Sequence, residues 1–302
     1  MSEKLRIVAL GGGTGMKALL SGLHKHDVDV CAVITVADDG GSSGRLRRDF
    51  DIPPPGDIRN CLVSMSDADP LIGELFQYRF EDSILRGHNF GNLFLAVLTR
   101  LSGDFRTAIE RARTLLSVRG NVIPSTDRKV VLVAEHPDGT KSTGEQAISH
   151  SGRTISRISL VPIPPPVSAE IEDYLASADV ICLGPGSLYT SILPNLLVPG
   201  MTEAVNRSQA SVAYIANLMT QPGETDGFDL RAHVTTLTSA GNGLRIDSVI
   251  ARFDDGPQIA GIPLRRLPII SDESNVRHSP DRLAAAVLDV ALAHRSRGGS
   301  RP

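Results

Sequence analysis

The chain has 302 residues, enough for one large or two small domains, each with a real hydrophobic core. A net charge of −3 leaves no broad basic field for nucleic acid or an anionic membrane. With no tryptophan and only 4% aromatic residues, the chain also lacks a stacking platform for single strands or glycans.

Cys31, Cys61 and Cys182 lie in or beside apolar runs, without zinc or disulfide spacing, which suits buried thiols in a reducing compartment. Residues 1–6 hold no apolar signal-peptide core, and no stretch approaches the ~18 apolar residues of a membrane span. A cytoplasmic protein is expected.

Residues 5–10 form a short apolar run that ends at Gly11-Gly12-Gly13-Thr14-Gly15, and an amphipathic stretch over 16–23 follows. This reads as strand, Gly-rich turn and helix. Glycines expose backbone N–H groups, and a helix starting just after them adds orphan donors and partial positive charge. The loop therefore suits a phosphate, with a plain tight turn as the alternative. It is not the dinucleotide fingerprint: with Gly11 and Gly13 as the first two glycines, the third falls on Met16.

A second β-branched run, 28–37, ends at Asp38-Asp39-Gly40-Gly41-Ser42-Ser43-Gly44-Arg45. Carboxylates at a strand end hold a hydroxyl group or a hydrated Mg2+ beside phosphates, so Asp38 and Asp39 are the candidate metal ligands. Ser42, Ser43 and Arg45 are further ligand contacts, and Arg45 and Arg47 suit phosphate oxygens. The alternative is a solvated turn. Pro53-Pro54-Pro55 stops any helix. Asp57 is then predicted either to cap a helix running to 64 or to face the ligand. Gly87-His88-Asn89-Phe90-Gly91-Asn92 precedes a helix over 93–101. His88 is a base, a ligand group or a structural histidine, and Asn89 and Asn92 offer neutral groups for a base or sugar. Another helix covers 105–116.

Residues 121–163 break the rhythm, with strands at 130–134 and 155–163 and no good helix between them. This predicts a small β-rich insertion. A helix over 168–177 and a strand over 179–183 restore the pattern. Gly184-Pro185-Gly186-Ser187 then repeats the device of the first loop. A strand over 211–216 leads into a polar loop with Asn217 and Thr220, where ligands of open α/β sheets lie. A strand near 246–253 and a helix over 280–293 close the fold. The Gly/Ser/Arg-rich tail, 295–302, is expected to be disordered.

In order, residues 11–15, 38–47, 53–59, 87–93, 183–199 and 214–227 resemble the YvcK family, the gluconeogenesis factors, within the larger CofD-like superfamily. The similarity spans roughly residues 5–293. It implies an α/β fold, a Rossmann-like three-layer sandwich with a mostly parallel sheet and a small β-rich insertion. Residues 1–120 and 166–294 would form one nucleotide-binding domain, 121–165 the insertion and 295–302 the tail. The implied ligand is a nucleotide-diphosphate sugar, notably UDP-N-acetylglucosamine. The family has no established catalytic activity and is linked to gluconeogenic growth, cell-wall synthesis and cell shape. A protein partner in cell-wall synthesis and a homodimer are expected, with Mg2+ as the metal if one is retained. Arg277, in Val276-Arg277-His278, resembles a family arginine that matters for nucleotide-sugar binding.

The CofD branch instead transfers a phospholactyl-type group, with Mg2+, to a deazaflavin precursor. Its acidic pair is followed by Ser-Pro-Asp-Leu-Asp-Thr. Here the corresponding stretch is Pro53-Pro54-Pro55-Gly56-Asp57-Ile58-Arg59-Asn60. Arg59 and Asn60 stand where the second acid is missing, which removes a hard oxygen ligand and favours the YvcK branch.

Overall fold

The computed structural model describes residues 3–82, 84–252, 259, 261–266, 269–271 and 274–298. The chain runs β1 (Leu5–Gly11), α1 (Gly13–Leu23), β2 (Val28–Ile34), α2 (Gly41–Phe50), α3 (Gly56–Ser64), α4 (Pro70–Gln77), α5 (Phe90–Ser102), α6 (Phe105–Leu115) and β3 (Asn121–Pro124). Next come β4 (Val131–Glu135), β5 (Lys141–Thr143), the short α7 (Glu145–Ser149), β6 (Arg157–Val161), α8 (Ala169–Ser177) and β7 (Val180–Leu183). A π-helical turn, Leu188–Ile192, leads through α9 (Leu193–Leu196) and α10 (Met201–Arg207) to β8 (Ser211–Ile215) and α11 (Leu230–Ala240). β9 (Ser248–Ala251), β10 (Leu264–Arg266), β11 (Ile270–Ser271), β12 (Ser274–His278) and α12 (Pro280–Ser296) complete the order.

Among the described residues, seven parallel strands form the central sheet in the order β10-β9-β8-β7-β1-β2-β3. β1 pairs with β2 from Leu5↔Val28 to Gly11↔Ile34. The last five residues of each strand are buried on both pleat faces, which is the pattern of a parallel sheet covered by helices on both sides. Strand order reverses between β1 and β7, so a crevice opens beyond their carboxyl ends. α1, α3 and α12 pack together beside the sheet, and α8 packs on β1. No described helix is long and apolar enough to cross a membrane.

The fold class is the one the sequence implied, but several local expectations differ. Residues 121–124, placed in the insertion by the sequence reading, pair with β2 as the edge strand of the main sheet. The insertion proper is the antiparallel β5-β4-β6 sheet with α7, a helix that the polar 145–149 stretch did not announce. Arg295, assigned to a disordered tail, lies in α12 and clamps Asp179 at 2.6 Å and the carbonyl of Lys4 at 2.9 Å. Residues 299–302 of that tail lie outside the described residues.

Two helix glycines test how closely the layers pack. A Cβ on Gly22 of α1 would run into the Pro280 carbonyl of α12, whereas one on Gly73 of α4 meets nothing closer than Val63 Cγ1 at 3.9 Å. Gly22→Ala is expected to cost about 2 kcal/mol or more, through overpacking of α1 on α12. Gly73→Ala is expected to be neutral or to gain up to about 1 kcal/mol. Urea midpoints at constant m-value check both.

Candidate functional site

The two glycine loops meet at the switch point. Gly12 is extended, Gly13 has φ 68° and Gly184 φ 84°, so both loops use backbone conformations that side chains disfavour. A Cβ on Gly11 would lie 3.7 Å from Gly184 Cα, one on Gly15 2.8 Å from the Pro185 oxygen, and one on Gly186 3.1 Å from the Gly12 oxygen. The loops thus touch backbone to backbone.

A cleft of about 420 Å³ lies over this contact. Its floor holds Gly13, Thr14, Gly15, Pro185, Gly186 and Ser187, and Asn217 and Thr220 line it from the loop after β8. An adjoining lobe of about 490 Å³ shares Thr14 and Gly15 and adds two cations, Lys17 and Arg277. Arg277 is exposed.

The expected ligand residues divide into two groups. Gly13, Thr14, Gly15, Pro185, Gly186, Ser187, Asn217 and Thr220 face the cleft, Arg277 its basic lobe. Gly11, Gly12 and Gly184 are buried in the loop contact beneath it. Others lie away from the cleft. Asn89 is 1% exposed and its side-chain oxygen caps α5 by accepting from the Asn92 amide at 3.1 Å. Ser42 Oγ accepts from the Asn89 amide at 3.2 Å, and Asn92 Nδ2 donates to Ser43 Oγ at 3.5 Å. These four residues weld α2 to α5 and do not line the cleft. Arg45 turns away, towards the Arg86 carbonyl at 3.5 Å.

Asp57 does not cap its own helix. It sits in the first turn of α3, where Pro55 is the cap residue, and its Oδ2 accepts from the Gly13 amide of α1 at 2.7 Å. Burial raises its carboxyl to about 6, with Asp38 adding to the rise and the Gly13 bond and Arg59 opposing it. Burial also raises Asp38, whose Oδ1 accepts from the Gly40 amide at 2.8 Å. Asp39 Oδ1 accepts from the Gln146 amide at 3.2 Å. Among the described residues no three His, Cys, Asp or Glu side chains converge in a metal-binding group.

Two acids on the cleft wall escaped the sequence reading. Glu145 opens α7, and its carboxyl is pushed up to about 9 by burial, then by Asp38, Asp57, Glu224 and Asp39. Glu224 accepts from Ser149 Oγ at 2.6 Å, from Thr190 Oγ1 at 3.4 Å and from Ser187 Oγ. One side of the cleft is therefore acidic and rich in hydroxyls, and the other is basic.

Comparison with known proteins places this geometry. Residues 7–289 match the profile of the family described as 2-phospho-L-lactate transferase CofD. The chain belongs to the CofD family. Within that family it is similar to the gluconeogenesis factor of Halalkalibacterium halodurans, 45% identical over 91% of this chain and 87% of that one. It is 47% identical to the gluconeogenesis factor of Bacillus subtilis, over 85% of this chain and 81% of that one. A solved Bacillus halodurans protein, described as a member of the UPF0052 family, superposes with a TM-score of 0.89 at 40% identity. That match covers 95% of this chain and all of the other. These relatives put the chain on the gluconeogenesis-factor, or YvcK, branch of the CofD family.

Glu145 gives the cleft a pH signature. Its folded pKa of about 9 exceeds the ordinary 4.5, so between those values the folded chain keeps a proton that the unfolded chain has lost. The stability it contributes is complete below 4.5 and is lost as pH rises towards 9. Asp57 acts in the same direction between 3.8 and about 6. Glu145→Gln is expected to melt several degrees above the parent at pH 8, with the gap closing by pH 4. Thermal melts across that range read the difference.

Proposed function

We propose that this chain is a regulatory protein that binds a nucleotide-diphosphate sugar of the UDP-N-acetylglucosamine type. On this reading it serves growth on gluconeogenic carbon, cell-wall synthesis and cell shape through a protein partner. The observation that carries the reading is the contact of the two glycine loops at the switch point, beneath an open cleft of divided charge.

The division of charge suggests how the ligand lies. A diphosphate set beside the carboxylates of Asp57 and Glu224 would be repelled. Over the first turn of α1 it would meet the orphan amides of Thr14 and Gly15, with Lys17 and Arg277 alongside. The sugar then falls on the hydroxyl-rich side. There Glu145, protonated at neutral pH, donates a hydrogen bond, and Asn217 and Thr220 offer neutral partners. The relatives named gluconeogenesis factor support the physiological link. A ligand that stabilises one closed arrangement of these loops would alter affinity for a partner by linkage.

The transferase activity named for the CofD family has less support here. Arg59 lies next to Asp57, and its guanidinium is buried against Asn92 Oδ1 at 3.0 Å and Asn60 Oδ1 at 2.7 Å.

At ~100 times its dissociation constant, UDP-N-acetylglucosamine is expected to stabilise the protein by about 2.7 kcal/mol. Arg277→Ala is expected to weaken that binding about tenfold, with a shallower salt dependence. Thermal shift and calorimetry measure both. Absence of any shift with uridine sugars would defeat the reading. Turnover of an activated phospholactyl donor with a deazaflavin acceptor would replace it with the transferase.

A further inference from the structure

Several arginines of this chain sit against carboxylates, among them Arg119 on Asp67 at 2.6 Å, Arg207 on Glu172 at 2.7 Å and Arg245 on Asp247 at 3.1 Å. Arg45, Arg59 and Arg79 do not. Among the described residues none of the three has a carboxylate at ion-pair distance, yet all converge on one turn. Arg79 Nη1 donates to the Gly87 carbonyl at 2.8 Å. Arg45 Nη2 lies against the same glycine, where a Cβ would be 2.9 Å away. Arg59 packs under Gly91, whose Cβ would be 2.7 Å from its Cδ. The turn carries His88 and feeds the N-terminus of α5, a helix of 13 residues that adds partial positive charge.

Donor capacity is left over here. Arg45 Nε, Arg59 Nε and His88 Nδ1 are shielded from solvent without a hydrogen-bond partner, and Arg59 is only 7% exposed. A buried polar group left unpaired costs about 1–3 kcal/mol, more when charged. The positive charges also act on one another. Burial and then Arg79 lower Arg59 to about 10, against the opposing pull of Asp57. Burial and then Arg45 lower His88, against Asp49. An anion among these groups would relieve that repulsion and take up the unpaired donors.

We infer that Arg45, Arg59, Arg79 and His88, at the start of α5, form a second anion site for a phosphoryl group. None of these residues lines the glycine-loop cleft or its basic lobe. The forks of Arg45 and Arg79, the unpartnered Nε of Arg59 and the imidazole of His88 gather donors at one turn, a set that suits the spread of phosphoryl oxygens better than a planar carboxylate. The site stands next to the cleft's scaffold, because Arg59 Nη1 holds Asn92, which in turn holds Ser43.

Calorimetry with inorganic phosphate and with pyrophosphate, on the full chain, tests this. The parent is expected to bind phosphate, and Arg79→Gln to weaken it by about tenfold or more. Arg79 is exposed, so the fold should tolerate that change, and Arg45→Gln is the second probe. Arg277→Ala and prior saturation with UDP-N-acetylglucosamine should leave phosphate binding unchanged. Pyrophosphate at least as tight as phosphate at this site would point to a phosphorylated metabolite as the natural source. Phosphate binding looser than in the parent for Arg277→Ala, or displaced by the nucleotide sugar, would put the anion in the cleft and overturn the inference. So would a parent that binds neither probe, or an Arg79→Gln variant that binds as the parent does.

Discussion

Two stretches of backbone approach this closely only where no side chain stands between them, and the carboxyl end of the sheet is built on one such approach. Gly15 faces the Pro185 oxygen and Gly186 faces the Gly12 oxygen, so neither loop has room for a Cβ. The reversal of strand order between β1 and β7 puts the loops side by side, and glycine lets them touch. Two buried polar links then lock the contact. Asp57 reaches from α3 to the Gly13 amide, and Asn195, fully buried in α9, donates to the carbonyls of Gly11 at 3.1 Å and Ser191 at 2.8 Å. The floor of the cleft is therefore rigid, and its walls come from elements that arrive later in the chain.

One of those walls is the insertion. Its small sheet would be marginal alone, but α7 docks on the main domain at two points. The Gln146 amide donates to Asp39, and Ser149 donates to Glu224 in the loop after β8. Both junctions depend on missing side chains, since a Cβ on Gly144 would strike Asp39 and one on Gly223 would strike the Ser149 carbonyl. Docking brings Glu145 among four other acids, and the protein relieves part of that repulsion by keeping it protonated. The insertion thus brings a neutral carboxyl to the acidic side of the cleft.

The sheet and its glycine loops were legible in the sequence because burial on both faces leaves unbroken apolar runs, and glycine marks where each ends. The roles of the polar residues were harder to read. Asp57 has the sequence position of a cap, yet its partner is 44 residues away, a distinction that no local pattern carries. Asn89 and Asn92 look like base readers but spend their groups on α5 and Arg59. Glu145 and Glu224 belong to the site only because two loops, far apart in sequence, fold against each other. β3 was misplaced because four residues are too few to show whether a strand joins the main sheet or the insertion.

Arg59 shows how one position redirects a shared scaffold. A second carboxylate in this stretch would add an oxygen beside Asp38 and Asp57 and deepen the negative charge there, an arrangement that calls for a cation. A buried guanidinium does the reverse. It opposes the upward shift of Asp57, which leaves that carboxylate more able to accept from the Gly13 amide as an anion. It also spends its own donors on Asn60 and Asn92, tying α3 to α5. The same stretch of chain then works as a strut between the first glycine loop and the α2–α5 junction.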